Sequence, residues 1–298
     1  MTDITLLDGG MGQELIARSG DAPTPLWATQ VMIDHPGLVQ AVHADYFAAG
    51  ATVATTNTYA IHHDRLVKFG IDGQFAGLHA QALSEATAAR AAHGSGRIAG
   101  SLGPLGASYR ADVLPEHAKA VALYAEVAGL LTPHVDFLIA ETVASLDHAR
   151  AVLEGARGAG KPMWLSVTVD DEDGTILRSG EAVADLGPIL KAGGAQAVLA
   201  NCSAPEAMAA ALRVFATFGL PYGAYANGFQ QITKDFLKDN PTVDVLHARP
   251  EMNPARYADF ALLWVGMGAT IIGGCCETTP AHIAEIARRL RAEGHRIA

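Results

Sequence analysis

The sequence predicts an α/β fold, a single (β/α)8 barrel, on three observations. Short apolar runs that end in glycine or a polar residue recur eight times, and stretches of helical periodicity separate them. The third is length: 298 residues is what such a barrel uses as one domain. Apolar strands alternating with amphipathic helices bury both faces of a parallel sheet, and eight units fit a closed TIM-type barrel better than an open sheet. The expected domain is the whole span 1–298, with an inserted loop region after the seventh strand.

The elements follow in order. Ile4 to Leu7 is the first strand and ends in Asp8-Gly9-Gly10-Met11-Gly12. Trp27 lies in a loop with Pro23 and Pro25, and after His35-Pro36 a helical pattern runs through Leu38, Val42, Tyr46 and Phe47 to a stop at Gly50. Strand two, Ala51 to Thr55, delivers Thr56-Asn57-Thr58-Tyr59. A helix through Phe75, Leu78, Leu83 and Ala86 precedes a third strand with its loop at Arg97 to Pro104; the helix Glu116 to Leu131 precedes strand four, Val135 to Ala140, which delivers Glu141-Thr142.

A helix from Ser145 to Gly158 leads to strand five, Met163 to Val169, and one from Ala182 to Ala192 leads to strand six. That strand, Ala197 to Ala200, delivers Asn201-Cys202-Ser203. The helix Pro205 to Phe218 precedes strand seven, Tyr222 to Ala226, which delivers Asn227-Gly228. The polar stretch Phe229 to Glu251 is too long for an ordinary connection and reads as a lid or binding loop. A helix from Pro254 to Val265, strand eight at Thr270 to Ile272 and a last helix from Pro280 to Leu290 complete the pattern.

Half the residues are hydrophobic and 17% are charged, which describes a compact globular chain. A net charge of -10 argues against nucleic acid and anionic membranes as partners, because both select a basic face. The start of the chain has no basic flank leading into an apolar signal segment, and no run approaches the roughly 18 apolar residues of a membrane span. The expectation is a soluble cytoplasmic protein, monomeric or a small homo-oligomer, that acts on small molecules. Three cysteines, two of them adjacent, make a poor disulfide framework and suit a reducing compartment.

In a (β/α)8 barrel the C-terminal ends of all strands surround one mouth, where active sites are built. Asp8, Asn57, Glu141, Cys202, Asn227, Cys275 and Cys276 all sit at such ends and are expected to converge. A free cysteine is often only a small buried hydrophobe, but three of them at the ends of strands six and eight point to a shared site. Three thiols suggest a soft metal, zinc being the usual one, and with no fourth cysteine a coordination position would stay open. A metal-free nucleophilic cysteine would need a nearby histidine, and none of the twelve histidines is adjacent to these thiols in sequence. His62-His63 and His247 read as loop or surface residues. Gly273-Gly274 would let the consecutive cysteines turn toward one metal. A thiol-rich zinc site is a poor Lewis acid for hydrolysis but suits ionising a substrate thiol.

The chain resembles the zinc-dependent homocysteine S-methyltransferases, which use S-methylmethionine, betaine or a folate as methyl donor. The residues carrying the resemblance run nearly end to end: Asp8-Gly9-Gly10-Met11-Gly12, Leu26-Trp27 with His35-Pro36, Ala49-Gly50-Ala51 leading to Thr56-Asn57-Thr58-Tyr59, Glu141-Thr142, Asn201-Cys202-Ser203 and Gly273-Gly274-Cys275-Cys276-Glu277. The last two together are highly specific. The resemblance implies that Cys202, Cys275 and Cys276 bind Zn2+, that Asp8 and Glu141 hold the amino group of homocysteine, with Gly9 beside them, and that Asn227 matches a residue occupying zinc's open position before substrate arrives. Methionine biosynthesis is the implied role.

For the donor, a methylated sulfonium or ammonium prefers aromatic faces, and Trp27 and Tyr59 are the candidates by placement. A single barrel lacks the further domains of cobalamin-dependent relatives and the long C-terminal extension of betaine-using ones. S-methylmethionine or S-adenosylmethionine is therefore expected ahead of betaine or another dimethylated sulfonium or ammonium. The rival reading from another class is a non-catalytic zinc- and thiol-binding barrel, which would close its metal site with a fourth protein ligand.

Overall fold

Eight short parallel strands curl around one axis: β1 (Asp3–Leu6), β2 (Val53–Thr55), β3 (Arg97–Leu102), β4 (Phe137–Val143), β5 (Met163–Val167), β6 (Ala197–Asn201), β7 (Tyr222–Tyr225) and β8 (Ile271–Ile272). A ninth, β9 (Arg296–Ile297), pairs parallel with β1, and the hydrogen-bonded order is β2-β3-β4-β5-β6-β7-β8-β1-β9. The structure, a computed structural model, describes residues 2–229 and 249–298. At the seam between β1 and β2 the Thr52 N–H donates to the Leu6 carbonyl at 2.7 Å, and the Asp8 carboxylate accepts the Thr55 N–H at 2.6 Å. Asp8 therefore helps close the barrel at its mouth.

The helices are α1 (Met11–Ser19), α2 (Ala28–Asp34), α3 (Leu38–Ala49), α4 (His63–Leu66), α5 (Phe75–His93), α6 (His117–Leu131), α7 (Leu146–Ala156), α8 (Leu186–Gly193), α9 (Pro205–Phe215), α10 (Pro254–Gly266) and α11 (Pro280–Ala292). Their starts, facing the mouth, carry legible caps. Ser145 accepts the His148 N–H for α7, Asn253 accepts the Arg256 N–H for α10, and Thr279 with His282 forms a capping box on α11. Several C-terminal ends, facing the floor, are closed by glycine in the left-handed region: Gly50, Gly94 and Gly194.

Alternation of the strands sends one set of side chains inward, where Val53, Phe137, Ile139, Trp164, Leu199 and Ile271 fill the barrel, and the other set outward against the helices. No helix among the described residues is long and apolar enough to cross a membrane.

Four elements lie outside the sequence expectation, the short helix α4 among them. Helix α1 begins inside the glycine-rich stretch that reads as a loop, because glycine is a poor helix former. Helix α2 occupies part of the segment assigned to the loop around Trp27, and β9 is too short to show any periodicity. Of the stretch Phe229 to Glu251, residues 230–248 lie outside the described part of the chain; Phe229 is buried and the Arg249 N–H donates to the Gly228 carbonyl at 3.0 Å.

Candidate active site at the barrel mouth

The three thiols are brought together by strand order. Strands β6 and β8 flank β7. Cys202 follows β6 directly, with its N–H on the Tyr225 carbonyl at 3.3 Å; Cys275 follows β8 and donates its N–H to the Ala226 carbonyl at 3.0 Å. All three sulfurs lie within 4.8 Å of one another, the one such cluster of metal-type ligands among the described residues. Cys202 and Cys275 are joined as a disulfide, and the free Cys276 sulfur lies 4.0 Å from each. Burial pushes the Cys276 thiol up to about 12, with the neighbouring Gln13 amide only partly opposing it.

Gly273 and Gly274 matter for a reason other than the expected turn: neither has a positive φ. A Cβ on Gly273 would lie 2.6 Å from Leu7 Cβ, and one on Gly274 2.1 Å from Thr278 Oγ1, so both are close-approach glycines: Gly273 lets the thiol loop lie against the end of β1, and Gly274 lets that loop fold against its own Thr278. The left-handed residues are Cys202 itself (φ 52) and Glu277 (φ 62).

The two carboxylates stand on the same cavity as the thiols. Asp8 is buried, and its oxygens accept the Thr55 N–H at 2.6 Å and the Thr55 hydroxyl at 2.8 Å. Burial raises it to about 7 in spite of those bonds, and the charge of Glu141 adds to the rise. His43 is wholly buried with Nδ1 4.0 Å from Asp8, but burial lowers it to about 4, so at neutral pH it supplies no positive charge. Glu141 accepts the Ser101 hydroxyl at 2.5 Å and the Tyr225 hydroxyl at 3.0 Å; burial raises its pKa as well. Two desolvated acids lining one cavity without a paired protein cation suit a small cation, such as an ammonium group.

The cavity, about 260 Å³, continues outward past Trp27, Tyr59 and Tyr109 to Arg65 and Lys68. Trp27 and Tyr59 meet edge to face with ring centroids 6.1 Å apart. The Trp27 indole presses on Gly12, where a Cβ would fall 2.1 Å from Cζ2; the glycines after β1 thus seat the tryptophan. The Arg65 guanidinium lies over the Tyr59 ring, 5.7 Å from its centroid, so a cation already covers part of that ring.

Of the residues singled out from sequence, Asp8, Gly9, Trp27, Asn57, Tyr59, Glu141, Cys202, Cys275 and Cys276 all line this one cavity. Asn227 does not. It sits just behind the thiols, its N–H on the Ser203 carbonyl at 3.0 Å, with Oδ1 buried and unpartnered. His62 is a correction: it is buried beside Tyr124 rather than at the surface, and His63 stacks on Phe75. His247 lies outside the described residues. Sequence reading missed Ser101 and Tyr225, which hold Glu141, and Tyr109; the first two sit inside strands as ordinary barrel-facing residues, so only the fold reveals that they face an acid.

The thiol cluster fits a soft divalent metal. Once the disulfide is reduced, three sulfurs converge on one point, and such a donor set would not ionise without a cation, given how far burial raises Cys276.

Residues 5–290 match the family profile described as homocysteine S-methyltransferase. The chain is 33% identical to a homocysteine S-methyltransferase of Escherichia coli strain K12, over 96% of this chain and 95% of that one. It is 26% identical to homocysteine S-methyltransferase YbgG of Bacillus subtilis strain 168, over 97% and 95%. The crystal structure of the E. coli homocysteine methyltransferase MmuM in its metallated form superposes with a TM-score of 0.81 at 29% identity, covering 97% of this chain and 96% of that one. Its oxidised form gives the same score at 30% identity and the same coverage. With the barrel, the thiol cluster and the paired acids already in place, this end-to-end likeness means that the chain belongs to the homocysteine S-methyltransferase family and is a methyltransferase.

Proposed function

We propose that residues 1–298 form one homocysteine-binding barrel domain in which Zn2+ is held by Cys202, Cys275 and Cys276, and that the methyl donor is a sulfonium, S-methylmethionine ahead of S-adenosylmethionine. The observation that carries this reading is the convergence of three thiols and two buried acids on one cavity whose outer end is aromatic. When bound, zinc supplies the acidity that ionises a substrate thiol near neutral pH.

The chain's own residues do the rest. Asp8 and Glu141 clamp the α-ammonium of homocysteine, their desolvation relieved by its charge. The Gly9 backbone lies beside them, open to the substrate's carboxylate. Held at its amino end, homocysteine can extend its sulfur toward the thiol loop. Trp27 presents an aromatic face to the onium and excludes water from the methyl group. The thiol proton leaves to solvent. The sulfur lone pair then forms a bond to the methyl carbon as the bond from methyl to the sulfonium breaks, its electron pair returning to the donor sulfur. Homocysteine becomes methionine and the sulfonium a neutral thioether. Positioning two reactants in line accounts for much of the rate.

A cavity of about 260 Å³ suits two small amino acids better than a nucleoside-bearing donor, since drug-sized ligands occupy roughly 300–1,000 Å³. The test is a methyl-transfer assay on the reduced protein, with homocysteine and a panel of S-methylmethionine, S-adenosylmethionine, betaine and dimethylsulfoniopropionate, with and without zinc. Turnover is expected with S-methylmethionine and zinc; equal turnover in the presence of a strong chelator, or transfer from betaine alone, would refute the reading.

A further inference from the structure

We infer that Arg65 is the residue that selects the methyl donor, by pairing with a carboxylate that the donor must carry. The inference rests on the sulfonium reading above and adds a second requirement to it.

The cavity is electrostatically polarised along its length. Its only carboxylates among the described residues, Asp8 and Glu141, stand at the thiol end, and its only cations, Arg65 and Lys68, stand at the outer end with Trp27, Tyr59 and Tyr109 between. A molecule with a positive onium and a negative carboxylate lies in such a field in one orientation, the methyl group inward and the carboxylate outward. In an amino-acid donor the α-ammonium sits beside that carboxylate, so without the carboxylate the outer cations would repel this end of the molecule.

Arg65 is held but not neutralised. Its Nη2 donates to the Pro104 carbonyl at 3.0 Å, its Cζ lies over the Tyr59 ring, and its Nε is buried without a partner. Most arginines of the chain are in ion pairs, for example Arg18, Arg178, Arg249 and Arg289. No described carboxylate pairs with Arg65. The adjacent Asp64, its natural partner by sequence, turns its carboxylate to the Gly106 N–H instead. A guanidinium held by a cation–π contact and one carbonyl, with donors to spare and lining the cavity, is pre-organised for a planar, two-oxygen anion. Lys68, exposed at the rim, adds field but no fixed geometry.

The experiment compares S-methylmethionine with its carboxamide, which keeps the sulfonium, the amino group and the length but loses the negative charge. The unaltered zinc-loaded enzyme is expected to prefer the acid by about 10- to 100-fold in kcat/KM, the range of a charge-assisted hydrogen bond. In Arg65→Gln that preference should vanish, through a higher KM for the acid, while turnover of the amide and the KM for homocysteine stay within about threefold; Arg65→Lys should recover part of the preference. Equal losses on acid and amide would mean that Arg65 is merely structural, and a raised homocysteine KM would assign it to the acceptor; either result overturns the inference. Active transfer from S-methylmethionine with a preference that survives Arg65→Gln refutes this inference alone, whereas no transfer from either donor by the unaltered enzyme refutes the sulfonium reading together with it.

Discussion

The two ends of the barrel solve the same backbone problem differently. At the floor, where helices end and strands begin, the left-handed positions are glycines such as Gly50, Gly94 and Gly194. Among the described residues, every non-glycine residue with positive φ lies at or beside the mouth: Trp27, Tyr109, Thr142, Cys202 and Glu277, the first four lining the cavity. Such a conformation costs on the order of 1–3 kcal/mol for a residue with a side chain. A floor turn needs only the bend, so glycine serves. A mouth turn must also deliver a thiol, an indole or a hydroxyl, and the strain is tolerated because the surrounding structure holds it. At Thr142 that hold is visible: the Asn201 side chain accepts the Thr142 N–H at 2.9 Å and donates to its hydroxyl at 3.1 Å.

This contrast is tested most severely at Cys202. Cys202→Ser keeps the strained backbone but removes a sulfur; zinc content should fall to near zero and turnover by about a thousandfold, the several kcal/mol a metal supplies. Stoichiometric zinc with normal turnover in that variant would remove the reason offered for the strain. Next comes Glu141→Gln, expected to raise the homocysteine KM roughly 10- to 100-fold with little change in donor KM, as loss of a charged hydrogen-bond partner does. An unchanged KM would detach Glu141 from the substrate.

The pH dependence is of intermediate size. With Asp8 at about 7 in the free protein, its carboxylate takes up a proton as pH falls through 7 and ceases to attract an ammonium. The homocysteine KM should therefore rise below pH 7, approaching about tenfold per unit, and Asp8→Asn should flatten the profile. The stability sign is the reverse. A carboxyl whose folded value is raised favours the fold most below its unfolded value of 3.8, and that contribution is lost as pH rises through about 7. Asp8→Asn should accordingly raise the Tm at pH 8 while it weakens substrate binding; a lowered Tm would show that the bonds to Thr55 outweigh desolvation.

The smallest effects separate the two ends directly. Gly50 has φ 111, and a Cβ there would lie 2.9 Å from Ala287 Cβ. Gly50→Ala should cost about 1–3 kcal/mol in denaturant unfolding without altering kcat per folded molecule. Glu277→Gly relieves strain beside the thiol loop and should stabilise by a few tenths to about 1 kcal/mol. If instead Glu277→Gly destabilised the protein, the glutamate would be contributing more than its backbone conformation costs.

The alternation of apolar runs and amphipathic helices determined the eight strands and the barrel, because both periodicities are local and each strand end is marked by glycine or a polar residue. That was enough to place Cys202, Cys275, Cys276, Asp8 and Glu141 at one mouth, since strand order in a barrel follows chain order. Only the tertiary structure decided the rest. Which hydroxyls hold Glu141, that Gly273 and Gly274 are needed for space rather than for a turn, that Trp27 rests on Gly12, and that Arg65 lies over the Tyr59 ring without an ion pair all depend on contacts that only the folded chain makes. Such contacts carry no periodic signal. Likewise, the burial that moves Asp8 and Cys276 away from their ordinary values exists only once the barrel has closed around them.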